Sequence, residues 1–332
     1  MKCRKCGGRA VLELRRHNTA LCAEDFLGFF RRHTLETIRR WKMFSRDEPV
    51  LVAVSGGKDS LALWDVLLEA GYDAVGLYLD LGIGEYSQVS KRRCQAFARE
   101  RAARLNVVAV QEMLGVTIPE VSETTRRPTC SACGLSKRYL MNRIALERGF
   151  AVVVTGHNLD DEAATLFGST MRWDVSALAR QGPVLEVTHP KLVRRVKPLF
   201  RLSERETAAY AFLRGIDYIV EECPFSRGAT SITHKEILSR LENASPGAKA
   251  TFLLNYLDRT RHLFRASESA DLRECTRCGQ TTTGEVCAFC KLSTQARRAT
   301  DTRRRAVTEP SDPRSPRGLA TNSCAASETH AP

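Results

Sequence analysis

Three groups of residues have types and spacings that could do chemistry. The first is Ser55-Gly56-Gly57-Lys58-Asp59-Ser60. It follows the apolar run Val50-Leu51-Val52-Ala53-Val54, which reads as a buried strand, and precedes residues 61–68, which have helical spacing. A strand, a glycine turn and a helix start together build an anion site, because free backbone N–H groups and the positive end of the helix dipole converge there. The paired glycines let the backbone approach an anion, and Ser55 and Ser60 add hydroxyl donors. The mononucleotide P-loop pattern is not met, since Val52 and Asp59 stand where it needs a glycine and a Ser or Thr.

The second group is the pairs of cysteines at the two ends. Cys3-x-x-Cys6 is followed by Cys22, with His17 between and Asp25 after, and Cys275-x-x-Cys278 is followed by Cys287-x-x-Cys290. Twelve cysteines would suggest disulfides in a secreted chain, but C-x-x-C pairs in a cytosolic one suggest metal. Both ends match tetrahedral zinc, with either His17 or Asp25 as the fourth N-terminal ligand: His17 is the better donor, and Asp25 has the preferred two-residue gap from Cys22. The third group is Cys130-x-x-Cys133 and the distant Cys223. Three soft thiolates can hold a [4Fe–4S] cluster with one iron open, while a catalytic disulfide or persulfide and a third zinc are the competing readings. Spacing alone favours redox chemistry at Cys130 and Cys133 and leaves Cys223 open. Cys94 reads as a core residue, and Cys324 lies in the tail.

The elements that must position these groups alternate. Strands are expected at 50–54, 74–80, 107–110, 151–155 and 193–199, with helices over 61–68, 90–105, 136–148, 203–214, 230–242 and 248–265. That order predicts an α/β fold with a doubly wound parallel sheet and ligands at the C-terminal ends of its strands. Cys130 and Cys133 are expected in a loop, and Gly156 to Glu162 in the turn after the fourth strand, with His157 a hydrogen-bonded turn residue and Asp160 a helix N-cap. The expected organisation is an N-terminal zinc finger (1–27), a basic linking helix (28–48), a nucleotide domain (49–220) and a helical extension carrying Cys223 (221–268). A zinc knuckle (269–292) and a disordered tail (293–332) complete it.

At 332 residues the chain can bury a full core. It has no apolar run of about 18 residues and no apolar leader, so a cytoplasmic protein without a membrane span is expected. Its charge of +13, from 51 basic and 38 acidic residues, points to a polyanionic partner such as nucleic acid.

Ser-Gly-Gly-x-Asp-Ser resembles the pyrophosphate loop of the ATP pyrophosphatases, which split ATP into AMP and pyrophosphate. Several further features join it: the cysteine-rich ends, Arg127-Pro128-x-Cys130-x-x-Cys133-Gly134 with Lys137-Arg138, Gly156-His157-Asn158-x-Asp160-Asp161, and Glu222-Cys223-Pro224. Together they resemble the PP-loop tRNA 2-thiolation enzymes over residues 1 to about 292, closest to the TtuA type that thiolates the T-loop uridine. One departure is Cys22-Ala23-Glu24-Asp25, where that type usually shows C-x-x-H.

The resemblance implies that Cys130, Cys133 and Cys223 ligate a [4Fe–4S] cluster. It implies that Ser55, Gly56, Gly57, Asp59, Ser60, Asp80 and Gly156 bind ATP and Mg²⁺, and that Lys137 and Asp161 act in catalysis. Zn²⁺ would occupy the two ends, with Cys3, Cys6, Cys22 and Asp25 (or His17) at one and Cys275, Cys278, Cys287 and Cys290 at the other. The implied reaction adenylates a uridine C2 oxygen and replaces it with sulfur. Implied partners are tRNA, a ubiquitin-like thiocarboxylate sulfur carrier and a second copy of the chain. Rival readings are thiolation of the wobble uridine, a PP-loop ligase that attaches an amine to a tRNA base, and a non-catalytic zinc-containing RNA-binding protein.

Overall fold

A β-branched, apolar strand pattern broken by glycine turns and helical segments folds here around one central sheet. The computed structural model describes residues 1–125, 127–226, 228–264 and 272–308. The antiparallel pair β1 (Leu12–Leu14) and β2 (Thr19–Leu21) leads into α1 (Ala23–Arg40). The alternating section then runs β3 (Val50–Val54), α2 (Lys58–Glu69), β4 (Ala74–Asp80), α3 (Gly84–Glu100), β5 (Leu105–Ala109), α4 (Val110–Leu114), α5 (Ile118–Thr125), α6 (Thr129–Glu147) and β6 (Val152–Thr155). It continues with α7 (Leu159–Met171), α8 (Val175–Arg180), β7 (Val184–Leu185), β8 (Arg194–Val196) and α9 (Glu204–Leu213). Helices α10 (Thr230–Ala244) and α11 (Ala248–Asn255), the pair β9 (Arg273–Glu274) and β10 (Thr281–Thr282), and α12 (Ala288–Thr308) complete the described chain.

The six-stranded sheet has the order β5-β4-β3-β6-β8-β7. All its pairings are parallel except β7 with β8, so the expected parallel sheet carries one antiparallel edge strand too short to be read from sequence. Chain order reverses between β3 and β6, and the loops after these two strands diverge to leave a crevice, the usual ligand position in such sheets.

Side-chain alternation splits the core in two. Val50, Val52 and Val54 of β3 face one buried cluster with Phe26, Phe30, Trp64 and Tyr210, while Leu51 faces the other with Leu77, Leu140 and Val153. The first cluster includes Cys3, Leu14 and Leu21 of the N-terminal module, and the second includes Cys275, Cys287 and Phe289 of the C-terminal one. The two cysteine modules therefore belong to opposite faces of the sheet. None of the described helices is long and apolar enough to cross a membrane.

Several local expectations are corrected. Cys130 and Cys133 lie in the first turns of α6, with Pro128 at its N-cap, where a fixed φ suits a helix start. The helix expected over 248–265 stops at Asn255 and passes into a π-helical turn (Tyr256–Thr260) and a 3₁₀ turn (Arg261–Leu263). α12 runs to Thr308, so the first part of the expected disordered tail is helical. Phe289 and Leu292 in the expected knuckle and Ala296 in the expected tail recur at helical spacing along α12 and are buried, a pattern masked by the arginines and threonines around Ala296. Residues 309–332 with Cys324, and the expected boundary at 268–269, lie outside the described residues.

Candidate active site

The turn after β3 is built tightly. Gly56 has φ +77°, and a Cβ there would lie 2.8 Å from the Ser90 carbonyl oxygen, so only glycine fits. The Ser60 hydroxyl donates to the Gly57 carbonyl at 3.0 Å and accepts the Ser55 N–H at 3.1 Å, and the Ser90 hydroxyl of α3 donates to the Ser55 carbonyl. Gly156, at the end of β6, closes against the same helix start: a Cβ there would lie 2.8 Å from the Ser60 nitrogen. The two loops thus meet at the crevice between β3 and β6.

A cavity of about 370 Å³ opens there, lined by Ser55, Asp59, Ser60, Gly156, Asp161 and Lys137 on its polar side and by Leu77, Leu79, Leu81 and Met141 on its apolar side. Asn158 ties its two carboxylates together. The Asn158 amide donates to Asp59 Oδ1 at 3.0 Å, its backbone N–H donates to Asp161 Oδ2 at 3.0 Å, and its side-chain oxygen accepts the Asp161 N–H at 3.1 Å. Burial, reinforced by the Asp161 charge, pushes the Asp59 carboxyl above its ordinary pKa despite Lys58 beside it. Two carboxylates tied to one asparagine at the cavity offer the oxygen ligands that a divalent cation takes.

Asn158 caps α7 in a reciprocal box with Asp161, so Asp160 is not the N-cap of that helix. Asp160 instead accepts the Glu204 N–H at 2.8 Å, at the start of α9, and pairs with Lys249. His157 is a bonded turn residue, its Nδ1 2.8 Å from the Thr155 hydroxyl, and burial lowers its pKa and keeps the ring neutral. Asp80, expected at the nucleotide, pairs with Lys91 at 3.0 Å and accepts the Gly82 N–H at 3.1 Å, and it is not among the residues lining the cavity.

Of the four described thiols outside the terminal clusters, Cys94 is buried in the core, and Cys130, Cys133 and Cys223 lie beside this cavity. The Cys130 thiol donates to the Phe225 carbonyl at 3.2 Å, which joins the start of α6 to the segment carrying Cys223. Cys133 and Cys223 pack against the same core cluster as Tyr86, and Tyr86 and Lys137 line the cavity. Burial pushes the Cys133 thiol up, Lys137 opposes this, and the charges of Cys223 and Cys130 add to it. The Tyr86 phenol is raised by burial and then by Cys223 and Cys133. A single ion with bonds of about 2.3 Å would draw its ligand sulfurs to within about 4 Å of one another. The trio is not gathered within 4.8 Å, so it does not form a one-metal nest. Three thiolates can hold a [4Fe–4S] cluster, each through its own iron, with the fourth iron open.

A PP-loop domain model matches residues 30–228, and one described as the N-terminal LIM domain of 2-thiouridine synthetase TtuA matches residues 2–27. The chain is 53% identical to the tRNA-5-methyluridine(54) 2-sulfurtransferase of Thermus thermophilus over 292 residues, 88% of this chain and 91% of that one. It belongs to the PP-loop tRNA 2-thiolation family. The Pyrococcus horikoshii protein with the same description is 42% identical, covering 88% of this chain and 93% of its own. Among solved structures, the U34-tRNA thiolase NcsA from Methanococcus maripaludis with its [4Fe-4S] cluster superposes with a TM-score of 0.78 at 28% identity, covering 89% of this chain and 96% of that one.

In this family member the cysteine ends form two compact nests: Cys3, Cys6, Cys22 and Asp25 in one, and Cys275, Cys278, Cys287 and Cys290 in the other, each with its ligand atoms within 4.8 Å of one another. Asp25 Oδ2 lies 3.2 Å from Cys3 Sγ and 3.3 Å from Cys22 Sγ, while its Oδ1 accepts Lys5 at 2.8 Å. Asp25 is therefore the residue that faces the N-terminal thiols. His17 is turned away, against Phe29, His33 and Glu206. Burial would raise the Cys275 thiol, but backbone N–H donors more than offset it and hold it at about 6, whereas burial and the neighbouring thiols push Cys287 and Cys290 up. Both nests fit zinc by donor type and spacing. Asn158, Ser90, Glu204 and Lys235 carry no role in the sequence reading. Only Asn158 left a signal there: an N-cap residue type with an acid three positions on.

Proposed function

We propose that this protein is an ATP-dependent tRNA uridine 2-sulfurtransferase acting on the T-loop uridine. One juxtaposition carries the reading: Lys137 and Tyr86 line the glycine-loop cavity and also face the thiol trio, so adenylation and sulfur delivery share one mouth. The backbone N–H groups at Gly56 and Gly57 and the hydroxyls of Ser55 and Ser60 hold the ATP phosphates, and the apolar lining receives the base. Asp59 and Asp161 hold Mg²⁺, which when bound offsets phosphate charge.

Lys137 neutralises the α-phosphate while the uridine C2 oxygen displaces pyrophosphate. That oxygen leaves poorly by itself and leaves readily as AMP. Cys130, Cys133 and Cys223 hold a [4Fe–4S] cluster, which when bound supplies the sulfur chemistry at C2. Leu77, Leu79, Leu81 and Met141 keep water from an adenylate that hydrolysis would return to uridine. Zinc in the two end nests fixes modules that, with the basic surface, dock tRNA by its phosphates. Family membership supports the remaining parts of the proposal, which are a ubiquitin-like thiocarboxylate sulfur carrier as donor, a homodimer and a cytoplasmic location.

The test uses anaerobically reconstituted full-length protein with ATP, Mg²⁺, sulfide and unmodified tRNA. AMP release with a 2-thiolated T-loop uridine is expected, and absence of both sinks the reading. Thiolation of the wobble uridine would move the substrate to the position named for the Methanococcus maripaludis enzyme. Cys130→Ala should abolish iron retention and thiolation while the zinc content and tRNA affinity stay near wild type.

A further inference from the structure

Asp59 and Asp161 each hold a lysine supplied by a different element. Lys58 Nζ lies 3.1 Å from Asp59, and Lys235 Nζ, from α10, lies 2.5 Å from Asp161. Both ammonium groups converge on Glu204, the first residue of α9, at 2.8 and 3.3 Å. Three carboxylates and two lysines thus close into one ring that joins the cavity through Asp59 and Asp161, which line it, and is braced by Asn158 between them. Lys235 enters this ring from beyond the strand-and-helix units that build the crevice, on a helix that follows the Cys223 segment.

The ring has a chemical consequence. A divalent cation on Asp59 and Asp161 takes up the carboxylates that the lysines now neutralise. Lys235 then keeps Glu204 as its anchor and has N–H donors free beside whatever anion accompanies the cation. We infer that Lys235 is a further nucleotide-binding residue, held in place by Glu204, that neutralises the triphosphate of Mg·ATP. The inference rests on the cavity being an ATP site, and its test separates the two claims.

The test is isothermal titration of the purified full chain, without tRNA, with Mg·ATP and separately with AMP. Lys235→Met should weaken Mg·ATP on the order of tenfold, the usual size of losing one charge-assisted hydrogen bond, and AMP by less than about twofold. Lys235→Arg, which keeps the charge, should recover most of the Mg·ATP affinity. Unchanged Mg·ATP affinity in Lys235→Met overturns the inference. So does an equal loss for both nucleotides that the arginine variant does not rescue, because Lys235 would then only be pinning α10. Failure of the wild-type chain to bind Mg·ATP at all overturns the ATP reading itself.

Discussion

Gly156 shows how a single atom can govern this site. Its Cα packs so closely on the start of α2 that an added Cβ would lie 2.8–2.9 Å from backbone atoms of Asp59 and Ser60, which cannot swing aside as a side chain would. Gly156→Ala should therefore push the glycine loop away from β6. We expect a loss of about 1–3 kcal/mol in stability and a disproportionate loss of ATP affinity, read by urea denaturation and nucleotide titration. Wild-type ATP binding in that variant would mean the two loops need not touch. At the same scale, the two oxygens of Asp25 separate their tasks, one toward the thiols and one toward Lys5.

Elements are joined by buried charges that no local pattern reveals. Asp65 of α2 is fully buried and accepts from Arg101 after α3 and from Tyr210 and Arg214 around α9, each at 2.8 Å. Burial opposes its charge, but Arg214, Arg101 and Tyr210 more than offset this and hold the carboxyl below its ordinary pKa. Asp65→Ala should lower stability by about 3 kcal/mol, because it leaves two arginines and a buried hydroxyl without their common acceptor. An urea midpoint unchanged from wild type would refute this.

His33 on α1 makes a pH-dependent counterpart. Burial, with the nearby His17 and Arg201 charges, lowers its pKa from 6.5 to about 4. Its unfolded form therefore binds a proton first as pH falls. Stability is full above about 6.5 and declines toward about 4, by about 1–2 kcal/mol once its partial exposure is allowed for. Below that range Glu206, held at about 2 by His17 and Arg16 against its burial, adds a further decline as it protonates between 4.5 and about 2. His33→Gln should flatten the thermal-melt profile between pH 6.5 and 4 and leave the lower limb in place.

At the scale of the whole molecule, the two cysteine modules brace opposite faces of one sheet. The C-terminal module reaches the thiol trio indirectly: Phe289 stacks on Tyr139 of α6 with centroids 3.7 Å apart, and Cys130 and Cys133 sit in the first turns of that helix. Arg297 of α12 also donates to the Met113 carbonyl at 3.1 Å and to that of Leu114, just ahead of α5. Cys275→Ser should therefore speed hydrogen exchange over residues 118–125 and 129–140 and loosen iron retention, with the N-terminal nest unaffected. Iron retention identical to wild type would show that the module serves docking alone.

Much of this was legible in the chain because its signals are local. The glycine loop, the alternation of strands and helices, and the paired cysteines all depend on residues a few positions apart, where backbone geometry and ligand spacing leave little choice. The loop pair read at Cys130 and Cys133 proved to be helical because Pro128 starts α6, and the helical stretch of the basic tail was hidden by composition. Tertiary folding alone decided what depends on approach across the chain. It brought Cys223 to α6, turned Asp25 rather than His17 toward the N-terminal thiols, moved Asp160 to the start of α9, and set Lys235 and Glu204 against Asp161. Charges and thiols act through space, over a few ångströms, and a sequence records only their order.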